Sequence, residues 1–482
     1  MNTPLQLLDR FWDLTDQWAC VFSQQRIHQK MQRHAAGLIL TMGRTCISRI
    51  LTTLHLDQID WSAEYRLFSR SRWNPQDAFK PVLHAMKDYG CDGDGPIVIA
   101  GDQTHIKRSG RKVAGTHTMR DPVSSQAYHV NLIRGVSFLH LGVLAYPKGY
   151  ASAPASVQDV LPSPRCLPVH FSRAPVLKKP ARKASETEIA LHKQLQKTRP
   201  VMQSTLAAMK DVRERLDQCG HKQRRIHFVF DGSFCNRTVM EKPMERIDIT
   251  CRCRKNASFR LRDPQGKGNR FYLPGTLTAD QIRTDHENYP WSESRIRFGN
   301  AVITIRYKEV HGIYWHRAAG RRPLRLFIVA EPPHADRSST KRKHPCFGSG
   351  SAFLLSTNHN DSACKIIQDA FDRWQIEVAH RELKSVLGVG HSQVRHIQSV
   401  ERHPAFAAAC YSLLHLAGLQ TYGWTRTAEC GPLPKWRANA ARPSCLDLVR
   451  VLRKQLHDRS STNNRCDLPL ACPIQTIAAA AA

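Results

Sequence analysis

Two short apolar runs, far apart in the chain, each end in an aspartate, and they constrain the fold more than any other feature. Pro96-Ile97-Val98-Ile99-Ala100 leads through Gly101 to Asp102, and Arg225-Ile226-His227-Phe228-Val229-Phe230 leads to Asp231. Apolar runs of this length are typical of central strands that are buried on both faces. One aspartate at a strand end is more often a turn residue. Two such aspartates predict a shared metal-binding site only if a third carboxylate lies near them.

A third carboxylate lies in the helix-like segment from Phe371 to Lys384. Arg373, Glu377 and Lys384 are separated by four and seven residues, which places them on one stripe of an α-helix. Such a stripe is most often a surface ion-pair ladder. It is alternatively a metal-binding carboxylate between two cations that hold phosphates. Glu382 is the rival carboxylate, but it lies about 140° around the helix and has no arginine four residues before it.

The net charge favours a polyanionic partner. The chain has 482 residues, enough for two to four domains, with 71 Lys and Arg against 40 Asp and Glu, a formal charge of +31. Nucleic acid is the partner that best compensates such an excess, with an affinity that falls steeply with salt. A membrane surface would require an anchor or an amphipathic helix. We find no signal peptide and no apolar run of about 18 residues, so we expect a soluble intracellular protein without a membrane partner.

The cysteines do not suggest a metal centre. Fifteen are scattered along the chain, and the closest pair is Cys251-Arg252-Cys253. This spacing is tighter than that of usual zinc ligands, and no second ligand pair is evident. We therefore expect free thiols in a reducing compartment.

The changes in periodicity predict an α+β multidomain chain. A mixed-sheet core is interrupted by a β-rich insertion and flanked by helical N- and C-terminal regions. The predicted segments are a helical DNA-binding domain at 1–90, the first part of the core at 91–234, the insertion at 235–354, the end of the core with the glutamate-bearing helix at 355–395, and a helical C-terminal region with a disordered tail at 396–482.

Local signals refine the helical segments. Thr45 is predicted to cap a helix over Cys46–Leu51, and a second short helix fits Ser62–Phe68, which suggests a helix-turn-helix or, with equal weight, a helical cap on the core. Ser185-Glu186-Thr187-Glu188 is a capping box that opens one long helix to about Leu216.

The insertion has strand-like patterns. Residues 296–307 alternate between apolar and polar, and Leu324–Ala330 is a continuous apolar run.

Three carboxylates from two strand ends and a helix suit hard divalent cations. Mg²⁺ prefers oxygen ligands from a few carboxylates and keeps other positions for water or substrate phosphate. Two such ions about 4 Å apart can serve both the attacking and the leaving oxygen of a phosphodiester. The pattern therefore predicts phosphodiester chemistry.

At this point the chain resembles bacterial insertion-sequence DDE transposases that have an RNase-H-like core and a β insertion before the glutamate. The resemblance depends on Val98–Asp102, on Phe228–Gly232, and on the segment from Arg373 through Glu377 to Gly388. The signature of that group is Tyr, two residues, Arg, three residues, Glu, six residues, Lys. Arg373, Glu377 and Lys384 match its spacing, whereas Ala370 occupies the tyrosine position.

The resemblance implies a function and roles for residues. Asp102, Asp231 and Glu377 would be the catalytic ligands of two Mg²⁺ ions, for which Mn²⁺ substitutes, and Arg373 and Lys384 would bind DNA phosphates. The protein would cleave at the terminal inverted repeats of its element and join the ends to target DNA as a homodimer assembled on DNA. It would act in the bacterial cytoplasm, at the nucleoid.

Two tryptophans in the predicted insertion, Trp291 and Trp315, remain unassigned. Some relatives stack a flipped base on a tryptophan in this region, which makes hairpin formation at the transposon end less costly. Burial in the protein core is at least as common a role for either side chain.

Other classes of function remain open. A domesticated transposase would bind DNA as a regulator without cleavage, and an RNase-H-like repair or junction nuclease would cut branched DNA without joining strands. Metal-dependent cleavage separates the first from a transposase, and strand joining separates the second. A ribosomal or chromatin structural protein fits poorly with the long apolar strands.

Overall fold

A large mixed sheet organises the molecule. The computed structural model describes residues 6–58, 60–89, 95–121, 124–125, 128–146, 163–177, 179–181, 183–266, 271–299, 301–330, 351–435 and 440–462. Twelve strands in this part of the chain form the sheet, and helices pack against several of its strands. The predicted disordered tail lies outside the described residues.

The strands of the core are β1 (Ile97–Lys107), β2 (His117–Arg120), β3 (Leu132–Ala145), β4 (Arg165–Arg173), β5 (Ile226–Phe230) and β6 (Ile247–Arg252). They lie in the order β4, β3, β1, β5, β6, with β2 also paired to β3. The pairs β4–β3 and β3–β1 are antiparallel, whereas β1–β5 and β5–β6 are parallel. Three antiparallel strands followed by two parallel ones are the RNase-H-like arrangement, so the predicted fold class is confirmed.

Further strands extend this sheet on the β6 side. They are β7 (Ser258–Leu261), β8 (Leu277–Thr278), β9 (Ser292–Phe298), β10 (Ala301–Tyr314), β11 (Leu324–Ala330) and β12 (Ser351–Ser356). β12 pairs with β6, and the order continues through β11, β10 and β7 to β8. The predicted domain boundary at residue 235 falls between β5 and β6, which are paired, and the division into domains stays a prediction.

The helices surround the sheet. They are α1 (Leu7–Asp16), α2 (Gln25–Leu40), α3 (Ile47–Thr53), α4 (Trp61–Ser69), α5 (Lys80–Tyr89), α6 (Glu186–Lys197), α7 (Pro200–Leu216), α8 (Arg237–Met240), α9 (Ala279–Thr284), α10 (His316–Ala319), α11 (Ala363–Asp372), α12 (Gln375–Ser385), α13 (Ile397–Tyr422) and α14 (Cys445–Thr462). α13 is buried along most of its length and contacts both β4 and α1. Within the described ranges, no helix is long and apolar enough to cross a membrane.

Three local predictions need correction. The capping box at Ser185 is present, but the predicted long helix is two helices, because Arg199 is left-handed (φ 48°) and Pro200 starts α7. Thr45 does not cap α3; its hydroxyl donates to the carbonyl oxygens of Leu387 and Gly388 instead. The alternating segment at 296–307 contains a hairpin of β9 and β10, with Gly299 at φ 64°.

Candidate active site

Asp102 lies within β1, at the point where the buried part of the strand ends. Its Cα partner on β3 is His140, and the preceding pair in the parallel register with β5 is Gly101 and Phe230. A Cβ on Gly101 would lie 2.0 Å from the Phe230 ring, so only glycine fits there. The Asp102 side chain is 20% exposed. This close approach of β1 and β5 brings Asp102 beside the residue that follows Phe230.

That residue is Asp231, at the carboxyl end of β5. Its Oδ1 accepts hydrogen bonds from the Ser233 backbone N–H at 2.9 Å and the Ser233 hydroxyl at 2.6 Å. These two bonds hold the carboxylate over a short turn at the end of β5. Since β1 and β5 are parallel neighbours and Gly101 pairs with Phe230, Asp231 follows the end of β5 beside Asp102, although β1 itself continues to Lys107.

Glu377 comes from a helix that differs from the predicted one. The segment from Phe371 to Lys384 is two helices: α11 ends at Asp372 and α12 begins at Gln375, so Arg373 and Trp374 connect them. The predicted contact between Arg373 and Glu377 is nevertheless present, with 3.0 Å between Arg373 Nη2 and Glu377 Oε1.

Buried charges fix the end of α11. Asp369 accepts a hydrogen bond from His227 on β5, and Asp372 pairs with Arg297 on β9 at 3.0 Å. Tyr146 donates its hydroxyl to both aspartates at 3.3 Å. Contacts from two strands, and from Tyr146 just after β3, therefore hold the end of α11 that precedes Arg373.

Arg373 brings the carboxylates together. Its Nη1 lies 3.7 Å from Asp102 Oδ2 while its Nη2 binds Glu377. Arg373, Glu377 and Asp231 line a cavity of about 290 Å³, whose other wall includes Thr250. Arg373 thus contacts two of the three predicted carboxylates, Asp102 and Glu377, and shares a cavity with the third, Asp231.

The negative charges of the carboxylates at this site are only partly balanced by neighbouring cations. Burial raises the pKa of Asp102 to about 6, with Asp231 and Glu377 adding to the rise and Arg373 opposing it. Burial also raises the pKa of Glu377, again with a contribution from Asp231 and against the effect of Arg373. One arginine does not balance three acidic groups that approach one another.

These residues fit a hard divalent cation. The donors are all carboxylate oxygens, which Mg²⁺ and Mn²⁺ prefer. Burial, with a smaller contribution from the neighbouring acidic groups, raises the pKa values of Asp102 and Glu377, so an added cation would stabilise their ionised forms. This donor set agrees with the divalent-metal chemistry that the sequence resemblance implies.

Lys384 lies about two turns beyond Glu377 on α12. Asp102, Lys107 and Asp121 are its electrostatic neighbours. Within the described part of the chain, the ion pair of Glu377 is with Arg373 and not with Lys384. Lys107 is itself paired with Asp121 at 3.1 Å.

Glu382 faces away from this site. It is 9% exposed and accepts a hydrogen bond from the Tyr411 hydroxyl at 2.7 Å and a weaker one from the Cys445 backbone N–H. Arg165 lies 3.7 Å from the same carboxylate. Burial acts to raise the pKa of Glu382, but His415, Arg165 and Tyr411 hold it well below its usual range.

Glu382, His415 and Cys445 also have donor atoms within 4.8 Å of one another, a spacing that a metal ion could use. The Glu382 carboxylate already has the Arg165 charge and the Tyr411 hydroxyl beside it. A cation added there would meet the guanidinium of Arg165, so we interpret the cluster as a buried ion-pair network.

Ala370 occupies the position of the signature tyrosine, as the sequence shows. Ala370 and the neighbouring Phe371 line the same cavity as Glu377. No hydroxyl is available from either side chain. A contact that depends on that tyrosine cannot be made from this position.

A second cavity is lined by residues of the chain segment that connects β6 to β11. It has a volume of about 740 Å³ and is lined by Arg254, Asn256, Ala257, Ser258, Arg260, Phe271, Tyr272, Thr276, Tyr314, Trp315, His316, Arg317 and Arg321. Four arginines and four aromatic rings, with no carboxylate among these residues, suit a planar anionic ligand.

The two unassigned tryptophans differ in their surroundings. Trp315 lines this second cavity. Trp291 is engaged within the protein: its indole N–H donates to His286 at 3.1 Å, and the Lys308 ammonium lies 4.9 Å from its ring centroid. The structure thus distinguishes two residues that the sequence treats alike.

Some residues of these cavities were not predicted. Arg252 and Thr250 on β6 line the cavity of Glu377, and Arg254 follows in the second cavity. The only signal in the sequence is the density of arginines from Arg252 onwards, which does not show that their side chains reach a common surface.

Comparison with known proteins agrees with this geometry. The model of a DDE superfamily endonuclease matches residues 19–300, and the model of a transposase DDE domain matches residues 196–413. Among curated proteins, none matches the chain. The first match includes Asp102 and Asp231, and the second includes Asp231 and Glu377. The chain therefore belongs to the DDE superfamily of endonucleases, to which transposases with this domain also belong.

Proposed function

We propose that the protein is a DDE transposase that cleaves DNA at the ends of an insertion sequence and transfers the freed ends into target DNA. The observation that supports this most directly is that Arg373 contacts both Asp102 and Glu377 and lines one cavity with Asp231 and Glu377. The family match to transposase DDE domains and the charge of +31 agree with a DNA substrate.

Asp102, Asp231 and Glu377 would hold two Mg²⁺ ions, or Mn²⁺ in their place. Bound metal of this kind supplies an activated attacking oxygen and stabilises the leaving oxygen of an in-line displacement. The carboxylates bind through oxygen only, and Ser233 keeps the Asp231 carboxylate oriented by two hydrogen bonds. The Thr250 and Arg252 side chains complete the cavity wall on β6.

Arg373 and Lys384 would bind phosphates on either side of the cut. Arg373 provides a planar fork of donors, and Lys384 provides a flexible point charge. Both stand beside Asp102, so a phosphodiester held by them would lie at the carboxylates.

Recognition of the ends would need other parts of the chain. We propose that α3 and α4, which contact each other as a helix-turn-helix does, bind the terminal inverted repeats. Two ends held together require two copies of the protein, so the active species would be a homodimer assembled on DNA, at the bacterial nucleoid.

The second cavity would contact DNA near the cut. Its four arginines attract phosphates, and its aromatic rings offer stacking surfaces for an unpaired base. We propose Trp315 as a stacking residue at the transposon end. Trp315→Ala should then weaken hairpin formation or end cleavage by roughly 1 to 3 kcal/mol. Trp291→Ala is its matched control; an equal loss in both variants would contradict a specific role of Trp315.

Cleavage of a plasmid that bears the element's ends tests the proposed function. Asp102→Asn, Asp231→Asn and Glu377→Gln should each lower the cleavage rate in Mg²⁺ by at least about a hundredfold, more than the loss of residues that merely orient metal ligands. Binding of the ends, measured by gel shift, should persist. Cleavage by Glu377→Gln at the wild-type rate would show that the site is assigned wrongly.

The same assay separates the alternatives. A regulator would bind the ends without any metal-dependent cleavage by the wild-type protein. A repair nuclease would cut branched DNA without specific ends and would not join the freed 3′-hydroxyl to a target.

A further inference from the structure

We propose that Arg373 is an internal counter-cation for Asp102 and Glu377, which DNA removes from the carboxylates, so that divalent metal binding is coupled to DNA binding. This inference rests on the proposed function, because it concerns the same carboxylates. It adds a reason why the site would bind metal efficiently only when a substrate is present.

The geometry places Arg373 where it competes with a metal ion. Its guanidinium spans Asp102 on β1 and Glu377 on α12, at 3.7 Å and 3.0 Å. It lines the same cavity as Asp231, and its side chain is 15% exposed. A cation that binds two of the three carboxylates must either displace this guanidinium or share their charge with it.

Arg373 is held unequally by its two partners. Nη2 donates a hydrogen bond to Glu377, whereas Nη1 is buried and has no hydrogen-bond partner. At 3.7 Å, the contact of Nη1 with Asp102 is a charge interaction and not a hydrogen bond. A buried guanidinium nitrogen without an acceptor is unfavourable, and a phosphate oxygen would provide one.

The charge balance explains why displacement requires DNA. Arg373 is the largest electrostatic contribution that stabilises the ionised form of both Asp102 and Glu377. A metal ion that arrives alone must overcome repulsion from this guanidinium. When a phosphate binds the guanidinium, the repulsion falls and the carboxylates become available.

Thermodynamic linkage makes this coupling reciprocal. If DNA tightens the binding of metal by some factor, metal must tighten the binding of DNA by the same factor. Removal of Arg373 should therefore change two measured quantities. The metal affinity of the free protein should rise, and the gain in metal affinity that DNA causes should disappear.

Mn²⁺ titration, followed by electron paramagnetic resonance, tests the inference in the full chain. Arg373→Met, which offers no metal ligand of its own, should bind Mn²⁺ on the order of tenfold more tightly than the wild type without DNA. A short duplex should tighten Mn²⁺ binding by the wild type by a similar factor and leave Arg373→Met nearly unchanged. Arg373→Lys, which keeps the charge, should stay close to the wild type without DNA.

Arg381→Met is the matched control. Arg381 is on the same helix and exposed, and within the described residues it has no ion pair with the three carboxylates. It should change Mn²⁺ affinity by less than about twofold, since exposed charges are screened. An equal gain in Arg381→Met would show general electrostatics and overturn the inference.

Other outcomes are equally decisive. Unchanged or weaker Mn²⁺ binding by Arg373→Met would mean that Arg373 does not compete with metal, and the inference fails. Failure of the proposed function has a different signature: the wild type would not cleave DNA, while the Mn²⁺ titrations of free protein would still give their result.

Discussion

The two sides of α12 carry glutamates whose negative charges are balanced to different degrees. Glu377 has one close cation and a raised pKa, whereas Glu382, five residues later, has Arg165, Tyr411 and the Cys445 N–H around it and a lowered pKa. A buried carboxylate whose charge is fully balanced by neighbouring groups contributes to the stability of the folded structure. Incomplete compensation leaves a carboxylate that would gain from an added cation, which is the property that a metal ligand needs.

The largest expected effect tests the contrast between Glu377 and Glu382 directly. Glu382→Gln leaves Arg165 buried without its partner, so we expect a loss of roughly 3 to 5 kcal/mol in the free energy of unfolding. Glu377→Gln removes a charge whose burial Arg373 only partly offsets, so it should not lower stability. Chemical denaturation of both variants without metal measures the difference. Equal midpoints for Glu382→Gln and the wild type would contradict the structural role of Glu382.

The next effect is a dependence of stability on pH with opposite signs at Asp102 and Glu382. Because the folded protein holds the Asp102 proton more tightly than the unfolded chain, the wild type loses stability as pH rises from about 4 to about 6. Asp102→Asn should therefore gain stability over the wild type across this range, by at most about 3 kcal/mol.

Glu382 should show the reverse. Its lowered pKa stabilises the fold above the ordinary glutamate pKa, and this contribution is lost as pH falls. The deficit of Glu382→Gln should thus be full near neutral pH and shrink below about pH 4. Thermal melts with a chelator, from about pH 2 to about pH 8, measure both variants. A pH-independent gain for Asp102→Asn would mean that Asp102 is not the perturbed group.

The comparison also shows what the sequence can and cannot predict. The strands before Asp102 and Asp231 were predictable, because long apolar runs admit few alternatives in a chain of this size. The proximity of Asp102 and Asp231 followed from parallel pairing. The burial of Glu382 did not follow, since its partners Arg165, Tyr411 and Cys445 come from three distant elements.

The errors at helix ends have two different causes. The break before α7 has a local signal in Pro200, which disfavours helix at Arg199. The break at Arg373 has no local signal, because it depends on Asp369 and Asp372 binding side chains from the strands. Tertiary contacts decide such positions, and periodicity alone predicts a continuous helix.

The smallest expected effect concerns Lys384, on the Glu377 side of α12. If Lys384 binds a phosphate, Lys384→Ala should weaken DNA binding and reduce the slope of log affinity against log salt concentration by about one. Lys87→Ala is the matched control, because Lys87 is exposed in the last turn of α5. That helix ends at Tyr89, which bonds to Tyr146 beyond the end of β3, whereas Asp102 is paired with His140 inside β3. The slope for Lys87→Ala should equal that of the wild type. An unchanged slope in Lys384→Ala, measured by fluorescence anisotropy, would place Lys384 outside the DNA contact. The Glu377 side of α12 would then bind its substrate through Arg373 and the metal site alone.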